Sequence, residues 1–170
     1  NRMIVCKGND YEHYALSVSS VNKFRPHLRV NDCSNLEGVT CQDIGEDAWI
    51  YPDGATNIEL NTWYHVAMTY DGIYLKLFVD GIEDSSWYIN KPLMDSHANN
   101  NLYVSNMGGP NYYFPGYIDE VALLSSEITD SEIYSIYNNN ISPVDLSDIL
   151  GYWNFNNNID DQTPNGNNGY

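Results

Sequence analysis

Positive charge is scarce in this chain: 7 Lys and Arg stand against 23 Asp and Glu in 170 residues, a formal net charge of −16. So acidic a surface repels phosphate backbones and anionic lipid headgroups, which excludes nucleic acid and membrane surfaces as partners. It suits divalent cations, high salt or plain solubility. Long apolar runs are also missing. None approaches the roughly 20 residues of a spanning helix, so no membrane insertion is expected. No secretory leader is visible, because Asn1-Arg2-Met3-Ile4-Val5-Cys6 already reads as a strand. The expectation is a segment of a longer precursor, and the missing leader says nothing about secretion. Cysteine is sparse, at 3 residues, a number that permits one pairing in several ways or none. Cys33 and Cys41 are close enough to staple the Gly-, Asn- and Asp-rich loop 31–42. Cys6 is then a buried strand thiol or, alternatively, half of a cross-chain bond.

What is present is aromatic. Phe, Trp and Tyr make up 14% of the chain, with 15 tyrosines, and only 18% is charged, a balance that excludes disorder. The length fits one domain with a real core but not two ordinary ones. Short alternating segments separated by turn residues predict an antiparallel all-β fold. Strands are expected at 3–6, 14–19, 24–30, 48–51, 63–70, 74–79, 87–89, 102–105, 116–124 and 149–155. In the third, Phe24, Leu28 and Val30 share one face and Lys23, Arg25 and Arg29 the other. Tyr64, Val66, Met68 and Tyr70 alternate with Trp63, His65, Ala67 and Thr69, and Leu75, Leu77 and Val79 share a face of the next strand. Asp71-Gly72 and Asp80-Gly81 between these runs predict two type I′ hairpin turns and hence a three-stranded meander. A helix is expected over 130–138, with Thr129 and Glu132 spaced as a capping box and Ile133, Ile136 and Tyr137 as its docking stripe.

Several of these residues resemble a known family. Asn61-Thr62-Trp63-Tyr64-His65-Val66-Ala67-Met68-Thr69-Tyr70-Asp71-Gly72, followed by Leu75-Lys76-Leu77-Phe78-Val79-Asp80-Gly81, is similar to the centre of the laminin G-like, pentraxin-like branch of the concanavalin A-like lectin/glucanase superfamily. Phe114-Pro115-Gly116-Tyr117-Ile118-Asp119-Glu120-Val121, the helix at Ser131-Glu132-Ile133, and Ile4-Val5-Cys6-Lys7-Gly8-Asn9 extend the resemblance over residues 2–138. It implies an antiparallel two-sheet jelly-roll sandwich with one short C-terminal helix. It also implies a permuted order. Gly151-Tyr152-Trp153-Asn154-Phe155, followed by Asp161-Gln162-Thr163-Pro164-Asn165-Gly166-Asn167-Asn168-Gly169, resembles the segment that opens the family's domain, yet here it stands last. The expected organisation is a sandwich over 1–140, a linker over 141–148, and a strand and loop over 149–170. That last segment is either the start of a following repeat or a strand completing this or a neighbouring sandwich.

No catalytic constellation stands out. Glucanases of this fold carry acids alternating along one strand, which this sequence lacks. Glu46-Asp47, Glu83-Asp84 and Asp119-Glu120 are adjacent pairs, whose side chains point to opposite faces of a regular strand. Glu127, Asp130 and Glu132 suit a helix start. His65 reads as a structural strand residue. There is no His-Glu-x-x-His, nucleophile elbow or phosphate-binding glycine loop, and no enzyme is expected. Calcium is the candidate cofactor, in a structural role. The loop 160–168 offers several oxygens in a compact stretch, and in related sandwiches such a loop lies near the Ile-Asp-Glu-Val strand. Asp119, Asp161, Asn165 and Asn167 are therefore the candidate ligands, against an ordinary polar turn. For glycan binding, aromatics must stack on sugar faces. Tyr112, Tyr113 and Phe114, after Gly108-Gly109-Pro110, are the candidates, with Trp49 and Trp87, while Trp63 reads as a core residue.

These readings converge on a non-catalytic, extracellular or cell-surface binding and adhesion module of a larger, repetitive protein. Its expected partners are a glycan, a surface protein or copies of itself. Two alternatives compete. One is a structural subunit of an extracellular filament, built by strand donation into the unfilled slot. The other is an accessory module of a polysaccharide-degrading enzyme.

Overall fold

The structure, a computed structural model, describes residues 2–8, 13–43, 45, 47–94, 101–106 and 112–170. Asn9, Glu46 and Gly108-Gly109-Pro110 lie outside the described residues. Strands β1 (Arg2–Lys7), β2 (Tyr14–Val18), β3 (Phe24–Val30), β4 (Cys41–Asp43) and β5 (Ala48–Ile50) join β9 (Leu102–Val104) in one sheet, ordered β4-β5-β3-β2-β1-β9. A second sheet is the meander of β6 (Val66–Tyr70), β7 (Tyr74–Val79) and β8 (Ile82–Tyr88). β10 (Val121–Leu124) and β11 (Ile149–Trp153) form a two-stranded ladder. All of these pairings are antiparallel.

The period-2 apolar pattern assembles the core. Leu28, Val30, Ala48 and Ile50 of the larger sheet meet Leu75 and Ile89, with Met68, Tyr70 and Trp87 packed around them. Leu16 and Phe24 meet Leu77 and Val79, flanked by Tyr64 and Val66. Two sheets thus bury their alternate faces against each other, the layer solution for antiparallel strands. This is the all-β sandwich that the alternation predicts. The opposite face of the larger sheet is also closed, with Met3, Cys6 and Ala15 packed together beneath Tyr112.

Helix α1 (Asp130–Tyr137) starts on the expected capping box. The Glu132 amide donates to Thr129 Oγ1 at 3.2 Å, and the Thr129 amide donates to the Glu132 carboxylate at 2.7 Å. Ile133 is fully buried beneath it. The helix leans on the β7–β8 turn, where Tyr137 lies against Gly81. Asp80 and Gly81 both hold positive φ, at 51° and 78°, as a type I′ turn requires. The other expected type I′ turn does not form. Only Gly72 is left-handed there, and Asp71 instead accepts the amides of Ile73 and Tyr74 at 2.7 and 2.6 Å. The side chain substitutes for the missing backbone turn.

Several strand limits differ from expectation. β6 begins at Val66 rather than 63, because its partner β7 ends at Val79, opposite Val66, leaving residues 63–65 without a ladder. β8 covers Ile82–Tyr88 rather than 87–89. It is an edge strand with little burial to impose alternation, and its register shifts opposite Leu77 and Phe78. β10 begins at Val121 rather than 116, because Glu120 is left-handed, with φ 55°, and interrupts the extended chain. β4 carries no apolar alternation and was not expected.

Candidate ligand-binding end and the carboxylate-centred loop

The side chains beside β10 and β11 form the most organised polar site among the described residues. Asp161 sits in the loop after β11 with a fractional exposure of 9%. Its Oδ1 accepts the amides of Tyr152 and Thr163 at 3.0 and 2.9 Å. Its Oδ2 accepts the Thr163 hydroxyl and the Asn167 amide, each at 2.9 Å. The side-chain amide of Asn165 donates to the Ile149 and Leu150 carbonyls, and that of Asn167 to the Leu150 carbonyl. The Trp153 indole closes the loop by donating to the Asn167 carbonyl at 2.9 Å. A polar, aperiodic stretch thereby folds around one carboxylate.

Three of the four candidate calcium ligands, Asp161, Asn165 and Asn167, therefore share one loop. Asp119 accepts the neighbouring Glu120 amide at 3.0 Å, in the segment that leads into β10 beside β11. Both oxygens of Asp161 already take two donors, and the amide nitrogens of Asn165 and Asn167 point at backbone carbonyls. A hard cation needs several convergent oxygens, and the two of Asp161 are already engaged by protein donors. Among the described residues no group of three or more His, Cys, Asp or Glu is placed to hold a metal. The geometry is that of a carboxylate held by the backbone of its own loop.

β11 also reaches the loop that leads into β10. The Tyr152 hydroxyl hydrogen-bonds to the Glu120 carboxylate. Partial desolvation, reinforced by the charge on Asp119, holds the Glu120 carboxyl above its ordinary range. Just before it, Tyr117 is 86% exposed, and its ring lies 6.4 Å from that of Trp63, which is 66% exposed. The expectation that Trp63 is a core residue is thus corrected. It precedes the first ladder pair of β6, on the face opposite Tyr64 and Val66, which pack on the core.

The predicted aromatics scatter. Trp49, 7% exposed, is buried on the larger sheet, and Trp87 is partly buried and packs against the inter-sheet core. Tyr112 packs against Met3, Cys6 and Ala15, and its carbonyl accepts the Met3 amide. Phe114 lies over Gly116, where an added Cβ would come within 2.6 Å of the ring. Only Tyr113 of the five is well exposed. Cys33 and Cys41 form a disulfide with a Cα–Cα distance of 6.3 Å, and Cys6 is buried outside it, its Sγ donating to the Gly8 carbonyl at 3.3 Å.

A buried polar layer on the larger sheet was not anticipated. Ser17 Oγ and His27 Nε2 are 2.8 Å apart, and the His27 ring stacks on Tyr51. The Arg25 guanidinium lies over that Tyr51 ring and pairs with Asp53 through two hydrogen bonds of 2.8 and 2.7 Å. Burial, helped by the charge on Arg25, pushes the His27 pKa down to about 3. A serine beside a histidine has the form of a nucleophile and its base. Here Ser17 is wholly buried and His27 is 2% exposed, which gives the pair a structural role. Adjacent polar and charged residues at alternating positions of β2 and β3 were the available signal.

A comparison with protein-family models matches residues 6–134 to a laminin G-type model described as the concanavalin A-like lectin/glucanases superfamily. No curated protein matches the chain. The match spans well over half of the sequence, in the order β1 to α1, and agrees with the antiparallel two-sheet architecture. The chain belongs to the concanavalin A-like lectin/glucanases superfamily.

Proposed function

We propose that this chain is a non-catalytic binding module of an extracellular or cell-surface protein. Membership of the superfamily supports a carbohydrate- or protein-binding module; the absence of catalysis and the location are our reading. The observation that carries it is the use made of the enclosed carboxylates. Asp161 is saturated by backbone and hydroxyl donors, Asp53 and Asp47 are paired with Arg25 and Arg29, and Asp84 accepts the amides of Ala55 and Thr56. Glycosidic cleavage needs two carboxyl groups facing one substrate, whereas these are committed to holding loops. The Cys33–Cys41 disulfide supports an oxidising compartment. No helix among the described residues is long and apolar enough to cross a membrane.

A glycan array probed with and without calcium tests this reading. The expected result is retention of selected glycans without cleavage, unchanged by chelation. Hydrolysis of a bound glycan would make the chain an enzyme, and retention only with calcium would restore the metal to the loop around Asp161.

The segment 149–170 lies beyond the family match, and we read it as completing this chain's own sandwich. β11 pairs with β10 in register from Val121↔Trp153 to Leu123↔Gly151. The competing reading, strand donation into a neighbour, uses the same ladder between two chains. Light scattering is expected to find the intact chain monomeric. Ordered polymers that vanish when the chain is ended at Ser142 would favour the filament.

A further inference from the structure

From the Trp63–Tyr117 pair we infer a subsite for a neutral oligosaccharide, an inference that rests on the binding-module reading above. Apart from Tyr170 at the chain's end, these are the two most exposed aromatic side chains among the described residues. Their ring centroids are 6.4 Å apart and their planes differ by 32°. They come from segments more than fifty residues apart in sequence, so no local turn accounts for their meeting. Trp and Tyr are residues that folding normally covers, and leaving two together in water suggests a surface kept for a ligand.

Both rings stand on pinned backbone. Next to Trp63, the Tyr64 hydroxyl accepts the Glu59 amide at 3.0 Å and its ring packs edge-on against Phe24. The His65 amide donates to Asp80 at 2.9 Å. Before Tyr117, Phe114 covers Gly116, and after it Glu120 is held by Tyr152 of β11. A site on fixed supports loses little entropy when it binds.

The dimensions and charge choose the occupant. At 150–250 Å² for each fully covered aromatic, the pair offers roughly 300 Å². That is well below the roughly 800 Å² that each partner buries in a stable protein interface but comparable to the face of one or two pyranose rings. Asp119 and Glu120, two and three residues after Tyr117, supply acceptors for sugar hydroxyls. On a chain of net charge −16 they also repel uronates and sulfated sugars. The ligand is therefore a neutral glycan that stacks one face of its rings on Trp63 and Tyr117.

The test is calorimetric titration of the full chain with neutral hexasaccharides of glucose, mannose, xylose and galactose, and with hexagalacturonate. Trp63→Ala, Tyr117→Ala and, as a control, Tyr74→Ala are compared with the parent. At least one neutral saccharide is expected to bind the parent and the control equally, and each platform variant about tenfold or more weakly. Melting temperatures should stay together, because both rings are exposed. Unchanged neutral-glycan affinity in Trp63→Ala and Tyr117→Ala would overturn the subsite while leaving the module a glycan binder. Binding of hexagalacturonate alone would overturn the neutral assignment. No heat with any saccharide would remove the subsite, and retention on the wider array would then show that the binding-module reading survives it.

Discussion

Asp161→Ala is expected to lower the unfolding free energy by about 3–5 kcal/mol, among the largest effects available to a single change here. The reason is the number of donors left behind. The amides of Tyr152, Thr163 and Asn167 and the Thr163 hydroxyl all end on this one enclosed carboxylate. A buried donor stripped of its acceptor costs about 1–3 kcal/mol, and the costs are not additive because the loop can relax toward water. Asp161→Asn keeps the shape and one acceptor oxygen and should cost less. Asp160→Ala, one residue away and exposed, should stay within about 0.5 kcal/mol. Urea denaturation measures the three. Hydrogen exchange adds the spatial claim: in Asp161→Ala, protection should fall first in 149–170 and in β10, whose ladder partner is β11. Stability and protection equal to the parent's would remove the carboxylate-centred account of the loop.

The second large effect is a loss of stability on mild acidification, traced to His27. Its folded pKa, pushed down to about 3, lies below the ordinary value of 6.5. In that case the neutral form belongs to the folded state and the unfolded chain takes up the proton first. Stability is therefore full above pH 6.5 and falls as the pH drops toward 3, by up to about 1.4 kcal/mol per unit. Between pH 6.5 and 4.5 the loss should reach about 2 kcal/mol. His65, also lowered by burial, adds a change of the same sign. Asp32, Asp53 and Asp84 have lowered values as well, so their stabilising contributions are lost only at lower pH, beneath the ordinary carboxylate range. His27→Gln removes the titrating ring. It should cost some stability at pH 7, through lost packing and the Ser17 hydrogen bond, but flatten the profile between pH 6.5 and 4.5. A parent protein equally stable across that window would contradict the burial of a neutral histidine.

Legibility in the sequence followed the local pattern. The apolar alternation of Phe24, Leu28, Val30, Leu75, Leu77 and Val79 marked the facing sheets, because period 2 directly encodes which face is buried. Asp80-Gly81 and the Thr129–Glu132 box could be read because their chemistry acts within a few residues. Asp71-Gly72 could not be typed, since a carboxylate that caps two amides competes with a type I′ turn in the same dipeptide. Glu120 hid the start of β10 for a related reason: no residue type announces a left-handed glutamate. Burial of single aromatics was the least readable feature. Trp49 and Trp63 both lie in alternating stretches, but one is buried on its sheet and the other falls past the end of its partner strand.

By itself the sequence determined the fold class, the meander, the capped helix and the acidic character, all of which rest on spacing and composition. The tertiary structure alone decided the rest. It gathered four donors on Asp161 and sealed Ser17 against His27. It also brought Tyr117 beside Trp63 and joined β11 to β10. Each of these depends on groups far apart in the chain, or on donors supplied by the backbone, and neither leaves a periodicity that residue order can carry.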